Sequence, residues 1–147
     1  MSAERVFLDT NVIVYAYDRD AGRKHAIARD LMIDLWNRDG AILSTQVLQE
    51  FYVTVTKKIA FPLAPDSARE IVSDLLTWSV VANDGEAILK AIDLQVQEKI
   101  SFWDALIVAS AAKGGAEILV TEDLADGRKF GNLTVRDPFA GSHEKSL

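Results

Sequence analysis

The chain of 147 residues contains no cysteine and only two histidines. The lack of cysteine excludes disulfide frameworks, zinc fingers and thiol nucleophiles, and two histidines leave few histidine-based metal sites. No apolar run reaches the roughly 18 residues of a transmembrane helix. The first residues, MSAERVFLD, carry charges and lead directly into a strand pattern. We therefore expect no signal peptide, no membrane contact and a cytoplasmic protein.

The composition is that of an ordinary globular domain, with 49% hydrophobic and 26% charged residues. We expect one domain over residues 1–140 and a flexible tail over residues 141–147. The formal net charge of −6 disfavours a wide, basic nucleic-acid footprint. It leaves room for a small catalytic site in which metal ions screen phosphates.

Apolar runs and helical spacings alternate along the chain. Strands are predicted over residues 5–8, 41–44, 78–82, 118–121 and 133–135. The intervals between them carry apolar residues at helical spacing, with helices predicted over 11–17, 23–38, 45–58, 65–76, 87–97 and 102–113. Strands that alternate with helices predict an α/β fold with a mostly parallel sheet.

Two acidic residues follow predicted strands directly. Asp9 comes after the first strand, and Asp123, preceded by Thr121 and Glu122, comes after the apolar run Ile118–Val120. Ligands bind outside the carboxyl ends of parallel strands, so both carboxylates belong to the edge where a site would form. The alternative is that each is an ordinary turn residue.

Two further acids occupy helices that are otherwise apolar on their inner faces. Glu50 is three residues beyond Val47 and lies beside the buried stripe of its helix, unless it simply faces water. Asp104 is the only charge before Lys113 in SFWDALIVASAA. Ser101 and Asp104 also form a capping box, which is compatible with a ligand role.

Carboxylates brought together in this way repel one another. Two unit charges 4 Å apart cost roughly 4 kcal/mol at an effective dielectric constant near 20. A divalent cation removes that conflict, and oxygen ligands without cysteine or histidine indicate Mg²⁺ or Mn²⁺. Such an ion suits phosphate chemistry, because it neutralises phosphate oxygens and activates water.

Four segments, FLDTNVIVYA, STQVLQEF, FWDALIVASA and LVTEDL, together resemble the PIN-domain ribonuclease family, especially the VapC toxins of VapBC toxin–antitoxin pairs. The resemblance runs from the first strand to about Asp123. It implies a PIN-like three-layer α/β/α fold and an Mg²⁺- or Mn²⁺-dependent endoribonuclease. No single segment is specific, but the four occur in the family's order.

The resemblance also implies the site residues. The acidic quartet matches Asp9, Glu50, Asp104 and Asp123, with Glu122 as a reserve for the fourth position. Polar neighbours that support such a site match Thr10, Asn11 and Thr121. We expect Thr10 and Asn11 to hydrogen-bond the Asp9 carboxylate.

The partners implied are an RNA substrate, a second copy of the chain in a homodimer, and a VapB-like antitoxin whose basic side chain reaches the acids. Trp103 and the basic pairs at 23–24, 57–58 and 128–129 are candidate RNA contacts, although each has an ordinary structural explanation. A non-catalytic PIN-like regulator that binds RNA or protein is the alternative. A phosphatase with Asp9 as nucleophile is disfavoured, because Asn11 occupies the position of its second aspartate.

Overall fold

Six strands and six α-helices occupy residues 4–141, the part of the chain that the structure, a computed structural model, describes. The strands are β1 (Val6–Leu8), β2 (Ile42–Ser44), β3 (Ser79–Val81), β4 (Ile118–Val120), β5 (Lys129–Phe130) and β6 (Leu133–Arg136). The helices are α1 (Thr10–Tyr17), α2 (Arg23–Trp36), α3 (Thr45–Lys57), α4 (Pro65–Leu75), α5 (Gly85–Glu98) and α6 (Phe102–Lys113), with a 3-10 turn at Arg19–Ala21. Of the predicted tail, residues 142–147 lie outside this range.

The strands form a single sheet in the order β3-β2-β1-β4-β6-β5. All neighbouring pairs are parallel except β5 and β6, which are antiparallel. The predicted α/β fold with a mostly parallel sheet is therefore confirmed. The sequence did not predict β5, because its two residues are too few to show any periodicity.

The strand order also accounts for the three layers. The chain moves outward from β1 to β3, and then returns across the sheet to place β4 on the other side of β1. Because parallel crossovers are right-handed, helices α1 to α4 lie on one face and α5 and α6 on the other. Contacts agree: α1 packs on α2 and α3, α3 packs on α4, and α5 packs on α6.

The centre of the sheet is deeply buried. Phe7, Leu43 and Leu119 have no exposed surface, and every residue of α6 from Ala105 to Ala111 is buried. The chain reverses its direction of growth between β1 and β4, and in such sheets the crevice for ligands forms at that point. Well-packed strands thus fix the position of the residues that follow β1 and β4.

Helices that carry predicted site residues begin where strands end or at a side-chain cap. Asp9 caps α1, Ser44 caps α3 and Ser101 caps α6. Predicted boundaries differ from the observed ones by one or two residues. Differences of two residues occur at the start of α5 and at the end of α2, which ends at Trp36 because Asp39 and Gly40 adopt positive φ angles.

Candidate active site

The four predicted carboxylates line one open groove at the carboxyl ends of the strands. Asp9 follows β1, Asp123 follows β4, Glu50 projects from α3 and Asp104 from α6. The groove has a volume of about 700 Å³. Residues that are up to 114 positions apart in the sequence are therefore neighbours in the fold.

Asp9 is the most buried of these acids, with 6% of its surface exposed. Its carboxylate accepts the backbone N–H of Thr10 at 2.7 Å and the hydroxyl of Thr121 at 2.8 Å. Burial raises the pKa of Asp9 to about 6, and the charges of Asp123 and Asp104 add to that rise. The two hydrogen bonds oppose the shift without cancelling it.

Glu50 is tied to the same corner of the groove through Thr10. The Thr10 hydroxyl donates to Glu50 Oε1 at 2.9 Å, while the Thr10 backbone N–H holds Asp9. Thr10 thus orients both Asp9 and Glu50, the first through its backbone N–H and the second through its hydroxyl. Glu50 is exposed and also lines the groove, so the two sequence-based descriptions of it are both correct.

Asp104 combines a helix-start position with a place in the groove. The Ser101 hydroxyl accepts the backbone N–H of Asp104 at 3.1 Å, which is the predicted cap of α6. The Asp104 side chain is half-buried and lines the groove beside Asp9 and Asp123. Because the residues that follow are all buried, α6 holds this carboxylate on a rigid element.

Asp123 faces the other acids from the loop after β4. Its backbone N–H donates to the Thr121 hydroxyl at 3.1 Å. Burial raises the pKa of Asp123, and the nearby charges of Asp104 and Glu122 raise it further. The Asn11 side chain hydrogen-bonds this carboxylate and opposes the rise. The expected bond from Asn11 to Asp9 is therefore wrong, because α1 directs Asn11 towards the β4 loop.

Glu122, the reserve for the fourth position, occupies a different environment. Its carboxylate accepts the Tyr15 hydroxyl at 2.5 Å and pairs with Lys24 Nζ at 2.6 Å. The charge of Glu122 is therefore compensated on the outer side of the loop. Asp123, and not Glu122, is the residue of this pair that lines the groove.

A PIN domain family model matches residues 6–125. This chain belongs to the PIN domain family. The resemblance found in the four sequence segments is thereby confirmed, whereas no curated protein matches the chain.

Solved structures similar to this PIN domain include three bacterial toxin or toxin–antitoxin proteins. A toxin–antitoxin complex from Klebsiella pneumoniae is 19% identical with a TM-score of 0.66, over 91% of this chain and 98% of that one. VapC20 from Mycobacterium tuberculosis, a toxin that cleaves the sarcin–ricin loop, is 19% identical with a TM-score of 0.62, over 78% of this chain and 86% of that one. DNA-bound VapBC from Salmonella typhimurium is 18% identical with a TM-score of 0.64, over 92% of this chain and 99% of that one. At these identities the likeness establishes a shared fold.

The donor set of this PIN domain fits a hard divalent cation. Its acidic ligands are all carboxylate oxygens, and no histidine lines the groove among the described residues. As the side chains stand, no three or more Asp, Glu, His or Cys residues within 4–141 are arranged to hold an ion. Joint ligation of one ion by the quartet stays a prediction.

Two residues on the rim of the groove add chemistry to the acids. Trp103 is 62% exposed beside Asp104, so it is not a core residue. Lys58 is exposed at the end of α3 and supplies a positive charge on the rim. Both fit contacts with nucleic acid. None of the helices in the described part of the chain has the length and hydropathy to span a membrane.

Sequence reasoning missed four polar residues in the groove, Asp18, Gln46, Gln49 and Thr54, and of these four only Gln46 is buried. Gln46 is 7% exposed, lies in the first turn of α3 and lines the groove with the acids. Its spacing of four residues from Glu50 could have indicated it, because residues four apart share a helix face.

Proposed function

We propose that this PIN domain is an endoribonuclease that uses Mg²⁺ or Mn²⁺ to hydrolyse RNA phosphodiester bonds. The observation that carries the proposal is the convergence of four carboxylates from four separate elements on one groove. The raised pKa of Asp9 supports it, since a protein gains nothing in stability from a carboxylate that it must bury beside other acids. Membership of the PIN domain family points to the same chemistry.

Asp9, Glu50, Asp104 and Asp123 would hold the cation. When bound, Mg²⁺ or Mn²⁺ neutralises phosphate oxygens and lowers the pKa of water to produce a nucleophile. The chain itself supplies position. Thr10 and Thr121 fix the Asp9 carboxylate, the Thr10 hydroxyl restrains Glu50, and Asn11 restrains Asp123.

The same fold supports a role as the toxin of a toxin–antitoxin pair with a VapB-like antitoxin. Similar structures include toxin–antitoxin complexes. An apolar groove between α3 and α4, lined by side chains such as Leu48, Tyr52, Val53, Val72 and Leu76, adjoins the acidic groove. A partner segment with apolar residues and one basic residue would match both surfaces.

Exposed apolar side chains on α5 support the homodimer. Ile88, Leu89, Ile92 and Val96 recur along one side of the helix and are 43–73% exposed. Such a stripe is typical of a surface that another protein covers. We propose that two copies associate through α5 in the cytoplasm.

Cleavage of purified RNA tests the nuclease proposal. The protein is incubated with transfer, ribosomal and messenger RNA, with Mn²⁺ or with a chelator, and the new RNA ends are mapped. We expect cleavage at defined positions with Mn²⁺ only. Asp104→Asn should abolish it, whereas Asp66→Asn, the same change in the first turn of α4, should not. Equal cleavage by both variants would leave Asp104 with its capping role alone.

Growth of a bacterial host tests the toxin proposal. Inducible expression of the wild-type chain should arrest growth, and expression of Asp9→Asn should not. Co-expression of a cognate antitoxin should restore growth. If both chains are equally harmless while both fold, the alternative of a non-catalytic regulator is favoured.

A further inference from the structure

Two buried amide oxygens in the acidic groove lack a hydrogen-bond donor from the protein. They are Gln46 Oε1 and Asn11 Oδ1, and no other buried side-chain polar atom within residues 4–141 is left unpaired in this way. Both residues line the groove that contains the four carboxylates. The unpaired acceptors of the described chain are thus confined to the candidate active site.

Gln46 is the sharper case, because more than nine-tenths of its surface is buried. Its place in the fold is fixed by the first turn of α3. The Ser44 hydroxyl accepts the Val47 N–H at 3.3 Å, and the Thr45 hydroxyl accepts the Asn83 N–H at 3.4 Å. The side chain is therefore presented to the groove by a tethered helix start, next to Glu50 on the same face.

An amide oxygen at this position has a narrow choice of ligands. It has no proton to donate, so neither a carboxylate nor an ionised phosphate oxygen can pair with it. A buried acceptor without a donor destabilises the fold, and an apolar side chain of the same shape would avoid that loss. The polarity of Gln46 is thus accounted for by a donor that arrives with the bound ligand.

We propose that Gln46 Oε1 accepts a hydrogen bond from an O–H group that the ligand brings into the acidic groove. The inference rests on the proposed nuclease function. Two ligands would supply this donor: the 2′-hydroxyl of a ribose, or a hydration water of the divalent cation. A 2′-hydroxyl is the feature by which a protein distinguishes RNA from DNA at a given site. Gln46 is a positioning residue in either case.

Gln46→Met tests the proposal, because methionine keeps the length of the side chain and removes the acceptor. Gln97→Met is the matched control: it is the same change at an exposed helix position, in α5, outside the acidic groove. Three quantities are measured for each protein. They are KM and kcat for a single-stranded RNA of mixed sequence with a DNA of that sequence as inhibitor, the Kd for Mn²⁺ alone by calorimetry, and the thermal midpoint.

If the donor is the 2′-hydroxyl, Gln46→Met raises KM for RNA about threefold to tenfold, the range of one neutral hydrogen bond. The inhibition constant of DNA and kcat stay unchanged, because the contact is uniform binding. If the donor is a hydration water, the Kd for Mn²⁺ weakens by the same factor, and the RNA-to-DNA ratio does not move. In both cases the thermal midpoint holds or rises.

Wild-type values for KM and for the Mn²⁺ Kd in Gln46→Met would overturn the inference and leave Gln46 with a structural role only. Gln46→Leu provides the same comparison if the methionine variant unfolds. A wild-type protein that binds Mn²⁺ but cleaves no RNA would contradict the proposed function, while the Kd values for Mn²⁺ and for the uncleaved RNA would still decide the role of Gln46. Gln97→Met should match the wild type throughout.

Discussion

Glu122 and Asp123 are adjacent in the sequence and follow the same strand, yet their carboxylates enter opposite environments. Glu122 turns outward and meets Tyr15 and Lys24 at 2.5 and 2.6 Å. Asp123 turns inward, where its nearest charged neighbours are other acids, and its pKa is raised. One loop thus carries a compensated carboxylate and an uncompensated one.

The difference separates stabilising acids from acids kept for a ligand. The pair formed by Glu122 fastens the β4 loop to α1 and α2, and the pKa of Lys24 is raised because its ammonium donates to Glu122. Asp123 and Asp9 instead lower the stability of the folded chain at neutral pH. Acids that lower the stability of the folded chain indicate function more strongly than acids that are merely clustered.

The largest expected effect is on RNA cleavage, when Asp123 and Glu122 are each replaced in a separate variant. Asp123→Asn should lower metal-dependent RNA cleavage by more than about a hundredfold. Replacing even a residue that only hydrogen-bonds a metal ligand lowers metal affinity or activity by roughly 10- to 100-fold. Glu122→Gln should keep cleavage within a few-fold of wild type, because Glu122 does not line the groove. Initial rates with Mn²⁺ measure both.

The reverse result would break the comparison. A Glu122→Gln variant that loses cleavage while Asp123→Asn retains it would make Glu122 the fourth acid. Circular dichroism on both variants separates loss of chemistry from loss of fold.

The next largest effect is the pH dependence of stability in the metal-free protein. The pKa of Asp9 is 3.8 in its ordinary state and about 6 when folded, so the folded chain binds the proton more tightly. Stability is therefore greatest at low pH within this window, and it declines as pH rises from about 4 to above 6. At 1.36 kcal/mol per pKa unit, the loss for Asp9 is about 3 kcal/mol.

Asp9→Asn isolates this contribution, because the amide carries no charge at any pH and retains an oxygen for the Thr10 N–H. In chelator, the difference in unfolding free energy between the variant and the wild type should be near zero at pH 4. It should grow in favour of Asp9→Asn above pH 7. Denaturant unfolding at each pH measures it, and parallel curves for the two proteins would contradict the raised pKa.

Addition of Mg²⁺ or Mn²⁺ should reverse this instability. A ligand that binds only the folded chain stabilises it by about 2.7 kcal/mol at one hundred times its Kd. Glu122→Gln should show the same gain, and Asp9→Asn should show little of it. Thermal denaturation with and without the ion measures the gain, and an unchanged wild-type melting curve would count against the metal site.

Much of the fold could be predicted from local patterns, and the four predicted acids all line the groove. The apolar runs gave β1, β2 and β4, and Asp104 was conspicuous as an isolated charge in an apolar helix. Loop residues have no such periodicity, so the pattern does not predict which way a loop side chain points. The sequence therefore could not decide which way Glu122 points. Asn11 was assigned the wrong hydrogen-bond partner for another reason, because the orientation of α1 against the β4 loop depends on tertiary packing.

Gln46 escaped prediction for a related reason. A glutamine beside Val47 and Leu48 is typical of an exposed helix start, and only the packed structure buries it. Burial of a polar side chain depends on contacts between distant segments, which apolar spacing does not report. Sites built from such contacts require coordinates.

The smallest expected effect tests the compensated half of the comparison. Lys24→Met removes the ammonium that pairs with Glu122, and the methionine still covers the rings of Tyr15 and Phe139. Lys24 is 39% exposed, so solvent screens the pair, and we expect a loss of about 1 kcal/mol in unfolding free energy. Arg29→Met, which removes a looser and more exposed pair with Asp30, should cost less. Chemical denaturation measures both, and RNA cleavage by Lys24→Met should persist, because Tyr15 still holds Glu122 and the β4 loop keeps its anchor.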